Sequence, residues 1–139
     1  MDQKVSPEYI QTSLAASLTL GFQEGSFHRN AKLKGLNLLL HYEEGCLGKC
    51  HFCGLSKSRR EDPRGKTFIR VDWPLYLLEE IIQRAKGKDQ IHRVCISMIT
   101  HPRSDKDTVA VLKAWTSRVD PATIPVSILS NPTTMERED

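Results

Sequence analysis

Residues 36–42 read LNLLLHY, and residues 43–57 continue as EEGCLGKCHFCGLSK. The first stretch is short, apolar and bounded by glycines, which is typical of a strand buried in a parallel sheet. The second stretch forms a loop that contains Cys46, Cys50 and Cys53. We predict the fold from this arrangement, in which a buried strand leads directly into a cysteine loop.

Upstream of this strand, the sequence predicts one helix. Ser6 can cap it, Pro7 suits its first turn and Gly21 can end it. Apolar residues recur at every fourth position, at Ile10, Leu14 and Leu18, and form one stripe along the predicted helix.

Downstream of the cysteine loop, extended and helical patterns alternate. Asp72 can cap the first downstream helix and Gly87 can end it. The predicted order is an extended TFIRV at 67–71, a helix at 72–87, a buried strand RVCISMI at 93–99, a loop at 101–108, a helix at 108–119, a strand PVSILS at 125–130, and a loop that leads into a further helix at 131–139.

Alternating strands and helices predict an α/β fold with parallel strands. Three such strands leave two open edges, whereas a complete barrel takes about 250 residues. For a chain of 139 residues we therefore expect the N-terminal part of a parallel (β/α) partial TIM barrel, truncated in this sequence. Residues 1–35 would be an N-terminal helix and connector, and residues 36–139 the first βα units. A small, complete three-stranded domain is the alternative.

Composition argues against several classes of partner. The net charge is only +3 and aromatic residues make up 6% of the chain, so neither a basic footprint nor a base-stacking platform for nucleic acid is indicated. No stretch resembles a signal peptide or a membrane span. We expect a cytoplasmic protein whose thiols stay reduced and serve as metal ligands or redox groups.

Three readings of the cysteines are open from the residues alone. A zinc site could use Cys46, Cys50 and Cys53 with His41 as a fourth ligand, although zinc sites often combine two ligand pairs. A thioredoxin-like Cys-x-x-Cys would leave Cys46 without a role. A 4Fe-4S cluster held by three thiolates would leave one iron open for a substrate or cofactor. We predict that the remaining cysteine, Cys95, packs in the core.

The stretch CLGKCHFC resembles the Cys-x3-Cys-x2-Cys signature of the radical S-adenosylmethionine (radical SAM) superfamily. The resemblance implies that Cys46, Cys50 and Cys53 ligate a 4Fe-4S cluster whose fourth iron chelates S-adenosyl-L-methionine. Phe52 would lie beside the adenine. The implied activity is reductive cleavage of S-adenosylmethionine to a 5′-deoxyadenosyl radical that abstracts hydrogen. The implied fold is a partial (β/α) barrel with this loop after its first strand.

Further candidate residues come from the predicted strand ends, because active sites of such barrels lie at the carboxyl ends of the strands. Ser97, Thr100 and His101 follow the second strand and are candidate contacts to S-adenosylmethionine. Ser130 and Asn131 hold the corresponding place after the third. The basic loop at 57–66 is predicted to be solvated, with docking of an acidic partner as the alternative.

A closer resemblance covers essentially the whole chain. The segments from GSFHRNAKLKG to KSR, KTFIRVDWP and VCISMITHPRSD are similar to biotin-synthase-like radical SAM subunits of two-component lipoyl synthases. This implies sulfur insertion into a protein-bound octanoyl chain for lipoate biosynthesis. The implied partners are an electron donor such as ferredoxin or flavodoxin, a second radical SAM subunit, and a lipoyl-domain or carrier-protein substrate. Another biotin-synthase-like synthase is the alternative.

Overall fold

The structure is a computed structural model that describes residues 3–50, 53, 55–56, 67–68 and 71–130, with the backbone alone at 67, 68 and 71. Its elements are β1 (Tyr9–Thr12), α1 (Leu14–Thr19), a short 3-10 turn (His28–Asn30), β2 (Gly35–Leu40), β3 (Thr67–Phe68), β4 (Val71–Asp72), β5 (Leu75–Leu77), α2 (Leu78–Lys86), β6 (Arg93–Ser97), α3 (Ser104–Thr116) and β7 (Val126–Leu129).

Five strands form one open sheet in the order β5-β1-β2-β6-β7. The three predicted strands β2, β6 and β7 are adjacent and parallel, which confirms the α/β class with parallel strands. β1 and β5 extend the sheet with antiparallel pairing on the other side of β2. The hairpin of β3 and β4 forms a separate two-stranded sheet.

The prediction of one helix from Ser6 to Gly21 was wrong for its first half. Ile10 lies in β1, pairs with Leu40 on one side and Tyr76 on the other, and is fully buried. The helix begins only after Ser13, whose side chain accepts a hydrogen bond from the Ala16 amide at 3.1 Å. Hydrogen bonds to two strands outweigh a weak local helical periodicity. The predicted end is confirmed, because Gly21 follows α1 with a positive φ of 76°, a conformation that glycine adopts readily.

The bounds of the two later helices also differ from the prediction. Asp72 lies in β4, and the next residues form β5 against β1, so that α2 begins at Leu78 rather than after a cap at Asp72. Gly87 ends α2, as predicted. The stretch predicted as a loop over 101–108 is helical from Ser104 onward. Ser104 donates its side-chain hydroxyl to the His101 carbonyl at 2.8 Å, which ties the start of α3 to the loop before it.

The two faces of the sheet differ in burial. On one face Leu36, Leu38, Val94 and Ile96 are fully buried, and α3 contacts both of their strands. On the other face, a row across the parallel strands contains Asn37, Cys95 and Ser127, of which Cys95 is half-buried and the other two are exposed. The prediction that Cys95 packs in the core was therefore wrong.

Candidate functional site

The cysteine loop begins directly beyond the carboxyl end of β2. The chain turns after Tyr42, whose carbonyl accepts a hydrogen bond from the Gly45 amide at 3.0 Å. Gly45 has a φ of 78°, in the left-handed region where a Cβ atom is unfavourable. This turn places Cys46 at the edge of the sheet where the parallel strands end.

Cys46 and its neighbour Leu47 are hydrogen-bonded to the loop that follows the neighbouring parallel strand β6. The Thr100 amide donates to Cys46 Sγ at 3.2 Å, and the Thr100 carbonyl accepts from the Leu47 amide at 2.8 Å. The Gly48 amide also donates to Cys46 Sγ, at 3.3 Å. The fold therefore brings Cys46 and Thr100 together, although 54 positions separate them in the sequence.

Two described residues later in the loop, Cys53 and Leu55, are hydrogen-bonded to its cysteine residues. The Cys53 amide donates to the Cys50 carbonyl at 3.3 Å, and Cys53 Sγ accepts from the Leu55 amide at 3.4 Å. The Leu55 carbonyl in turn accepts from the Cys46 amide at 2.8 Å. Cys50 is exposed, Cys46 and Cys53 are half-buried, and none of the cysteines forms a disulfide.

The sulfur donors fit an iron–sulfur cluster by their chemistry. Such clusters are held by cysteine thiolates, and amide hydrogen bonds to the sulfurs tune their reduction potential. Cys46 Sγ accepts two amide bonds and Cys53 Sγ accepts one. Among the described residues, however, no three Cys, His, Asp or Glu side chains are arranged to hold one metal ion. The predicted zinc ligand His41 has its Nδ1 3.3 Å from Gln11 Oε1.

A pocket adjoins the cysteine loop at the carboxyl ends of β6 and β7. It has a volume of about 190 Å³. Thr100 both lines this pocket and binds Cys46 through its amide. The lining residues are Met98, Ile99, Thr100, Leu129 and Ser130.

The other predicted contact residues take different places. Ser97 lies within β6, and its Oγ is 4.0 Å from Cys95 Sγ. His101 is turned toward Tyr42 and Glu44 and is not among the residues that line the pocket. Phe52, Asn131 and the basic loop at 57–66 lie outside the described residues.

A polar network below the loop was not predicted from the sequence. Tyr42 is 2% exposed, and its hydroxyl donates to Asp107 Oδ2 at 2.7 Å. Arg103 lies 3.4 Å from the same carboxylate oxygen. Burial, together with the hydrogen bond to the Asp107 carboxylate, raises the pKa of the Tyr42 phenol well above its usual range. Asp107 was assigned to a loop in the prediction, and only the helix that starts at Ser104 brings it to Tyr42.

The raised pKa of Tyr42 should make the protein less stable as the pH rises above about 10. In the unfolded chain the phenol loses its proton near this pH, whereas the folded protein retains it. The unfolded state then binds fewer protons, so the free energy of unfolding should fall by about 1.4 kcal/mol per pH unit. Urea unfolding of the wild type and of Tyr42→Phe should show the stability difference between them shrinking above this pH. If the free energies of unfolding of the two proteins changed with pH in parallel, the raised pKa of Tyr42 would be wrong.

No protein-family model, curated protein or solved structure matches this chain. In the part of the chain that the structure describes, no helix combines the length and the apolarity needed to cross a membrane.

Proposed function

We propose that this chain holds a 4Fe-4S cluster through Cys46, Cys50 and Cys53 and acts in a radical SAM enzyme with a partial (β/α) barrel. The observation that carries the proposal is the placement of the cysteine loop. It lies at the carboxyl edge of parallel strands, with the Thr100 amide donating to Cys46 Sγ. Catalytic groups of parallel α/β proteins gather at this edge.

The bound cluster would supply the electron that cleaves S-adenosylmethionine to methionine and a 5′-deoxyadenosyl radical, which abstracts hydrogen from a C–H bond. The chain's own residues have simpler tasks. The Thr100 and Gly48 amides hold the Cys46 sulfur in one orientation. Thr100 and Ser130 line the neighbouring pocket, and their hydroxyls would be available to polar groups of S-adenosylmethionine. Met98 and Leu129 give the same pocket apolar lining.

The narrower proposal is sulfur insertion into a protein-bound octanoyl chain. It is supported by the resemblance of the sequence segments to the radical SAM subunits of two-component lipoyl synthases. Ferredoxin or flavodoxin would supply the electron. The remaining partners would be a second radical SAM subunit and a lipoyl-domain or carrier-protein substrate.

Anaerobic reconstitution tests the proposal against the alternative of a Cys3His zinc module. We expect about four iron and four sulfide atoms per chain, no stoichiometric zinc, and an electron paramagnetic resonance spectrum of the reduced cluster that changes when S-adenosylmethionine is added. Stoichiometric zinc without iron would refute the cluster. A cluster whose electron paramagnetic resonance spectrum does not change when S-adenosylmethionine is added would refute the radical SAM assignment.

The substrate is tested with the same reconstituted protein and its partner subunit. An octanoylated lipoyl domain should stimulate release of 5′-deoxyadenosine, whereas the domain without its octanoyl group should not. Equal release of 5′-deoxyadenosine with both domains would rule out the octanoyl chain as the substrate. The assignment of the cluster ligands would be unaffected.

A further inference from the structure

An aromatic stack joins the loop after β2 to the loop after β6. Tyr42 lies two residues beyond β2 and His101 lies four residues beyond β6. Their rings are nearly parallel, with centroids 3.8 Å apart and an angle of 9° between the planes. Because the two strands are parallel neighbours, this stack bridges the same edge of the sheet as the contact between Thr100 and Cys46.

Polar partners fix the orientation of both rings. The Tyr42 hydroxyl donates to Asp107 Oδ2 at 2.7 Å. His101 Nδ1 accepts from the Arg103 amide at 3.1 Å. With Nδ1 as the acceptor, the uncharged ring carries its proton on Nε2. Nε2 lies 3.4 Å from Glu44 Oε2. A turn of the His101 ring would break its bond from the Arg103 amide, and a swing of the Tyr42 side chain would break its bond to Asp107.

The stack lies beside the two hydrogen bonds that join Thr100 to the cysteine loop. His101 directly follows Thr100, and Tyr42 precedes Cys46 by four positions. The Thr100 amide binds Cys46 Sγ and its carbonyl accepts from Leu47. A change in the separation of the two rings would therefore move the Thr100 amide relative to the sulfur.

We propose that the stack of Tyr42 on His101 is the positioning device that keeps the Thr100 amide on Cys46 Sγ. This inference rests on the proposed function, since it assigns the stack a role toward a cluster ligand. Tyr42 and His101 are positioning residues and touch no reacting atom. An amide donor on a ligating sulfur stabilises the charge added on reduction, so the donor raises the reduction potential. The stack would thus set how readily the cluster accepts its electron.

Two substitutions at His101 separate the aromatic contact from simple filling of space. His101→Leu introduces an apolar side chain of similar volume without a flat ring, whereas His101→Phe replaces the imidazole with another flat aromatic ring. His92→Leu controls for the loss of a histidine away from the stack, because His92 is exposed at the opposite end of β6. His101 is only 10% exposed at its side chain, so a change in its shape acts directly on the enclosed contact with Tyr42.

The first readout is amide hydrogen exchange of the metal-free protein. In His101→Leu the exchange rates of the Leu47 and Thr100 amides should rise about fivefold, which corresponds to the loss of one aromatic pair. His101→Phe should restore most of the protection, and His92→Leu should leave it unchanged. The Val94 amide, in the middle of the sheet, should be unaffected in all three variants. Unchanged exchange in His101→Leu, or an equal rise in His101→Phe, would overturn the proposal.

The second readout is the midpoint potential of the reconstituted cluster. It should become more negative in His101→Leu and stay close to that of the wild type in His101→Phe and His92→Leu. If the amide exchange rates change in His101→Leu but the midpoint potential does not, the stack is only a structural contact. Its proposed role toward the cluster would then be overturned. If the wild type binds no iron, the proposed function fails, while the exchange rates still decide whether the stack holds Thr100 on Cys46.

Discussion

Replacing Cys50 with alanine should lower the iron content of the anaerobically reconstituted protein from about four atoms per chain to almost none. Cys50 is the exposed member of the triplet, and substitutions at exposed positions usually change stability little, so the variant should fold normally. Two thiolates alone would leave two irons of the cluster without protein ligands. The cluster should therefore be lost during desalting, together with its brown colour. Iron analysis and the visible absorption spectrum measure this directly.

Cys95→Ala is the matched control for the loss of iron. Cys95 is also an accessible thiol, half-buried on the open face of the sheet, but it lies in β6 and outside the cysteine loop. It should retain the iron content and spectrum of the wild type. A Cys50→Ala protein that keeps its cluster, or a Cys95→Ala protein that loses it, would show that the ligand assignment is wrong.

Trp115→Ala should lower the free energy of unfolding by about 3–5 kcal/mol. Trp115 is fully buried on α3, together with Val111, and belongs to the core cluster under the sheet. Truncation of this side chain would leave a large cavity that the sheet cannot collapse to fill. The effect should reach the candidate site, because Asp107 on the same helix binds the Tyr42 hydroxyl. Urea unfolding of the reduced, metal-free protein gives the measurement.

A second substitution separates the volume of Trp115 from its polar atom. Within the described part of the chain, Trp115 Nε1 is buried without a hydrogen-bond partner, which is unfavourable for a donor. Trp115→Phe removes this donor and keeps most of the ring volume, so it should cost clearly less than Trp115→Ala. Lys113→Ala, on the exposed face of the same helix, should change stability by less than about 0.5 kcal/mol. Equal losses for the phenylalanine and alanine variants would contradict the cavity argument.

Much of the parallel half of the fold was predictable because its signals are local. The apolar runs in β2 and β6 indicate buried strands, and Gly87 marks the end of α2. The antiparallel half was not predictable in this way. Residues of β1 and β5 show no strand pattern of their own and are extended because they pair with each other and with β2.

The candidate site likewise has some features that the sequence predicts and others that depend on tertiary contacts. Three closely spaced cysteines after a buried strand are visible in the sequence, and the predicted parallel order places Thr100 at the same edge of the sheet. The amide bonds to Cys46 Sγ, and the stack of Tyr42 on His101, depend on how two separate loops meet. Nothing in the sequence near Tyr42 identifies Asp107 as its partner.

The sequence by itself determined the spacing of the thiols, the three parallel strands and the alternation of strand and helix, because these depend on neighbouring residues and on the period of burial. Only the tertiary structure decided which residues surround the thiols, that Cys95 lies on the less buried face of the sheet, and that the segment around Ile10 forms the strand β1. These features depend on hydrogen bonds and contacts between residues that are distant in the sequence. Such contacts form only once the sheet has brought the strand ends together.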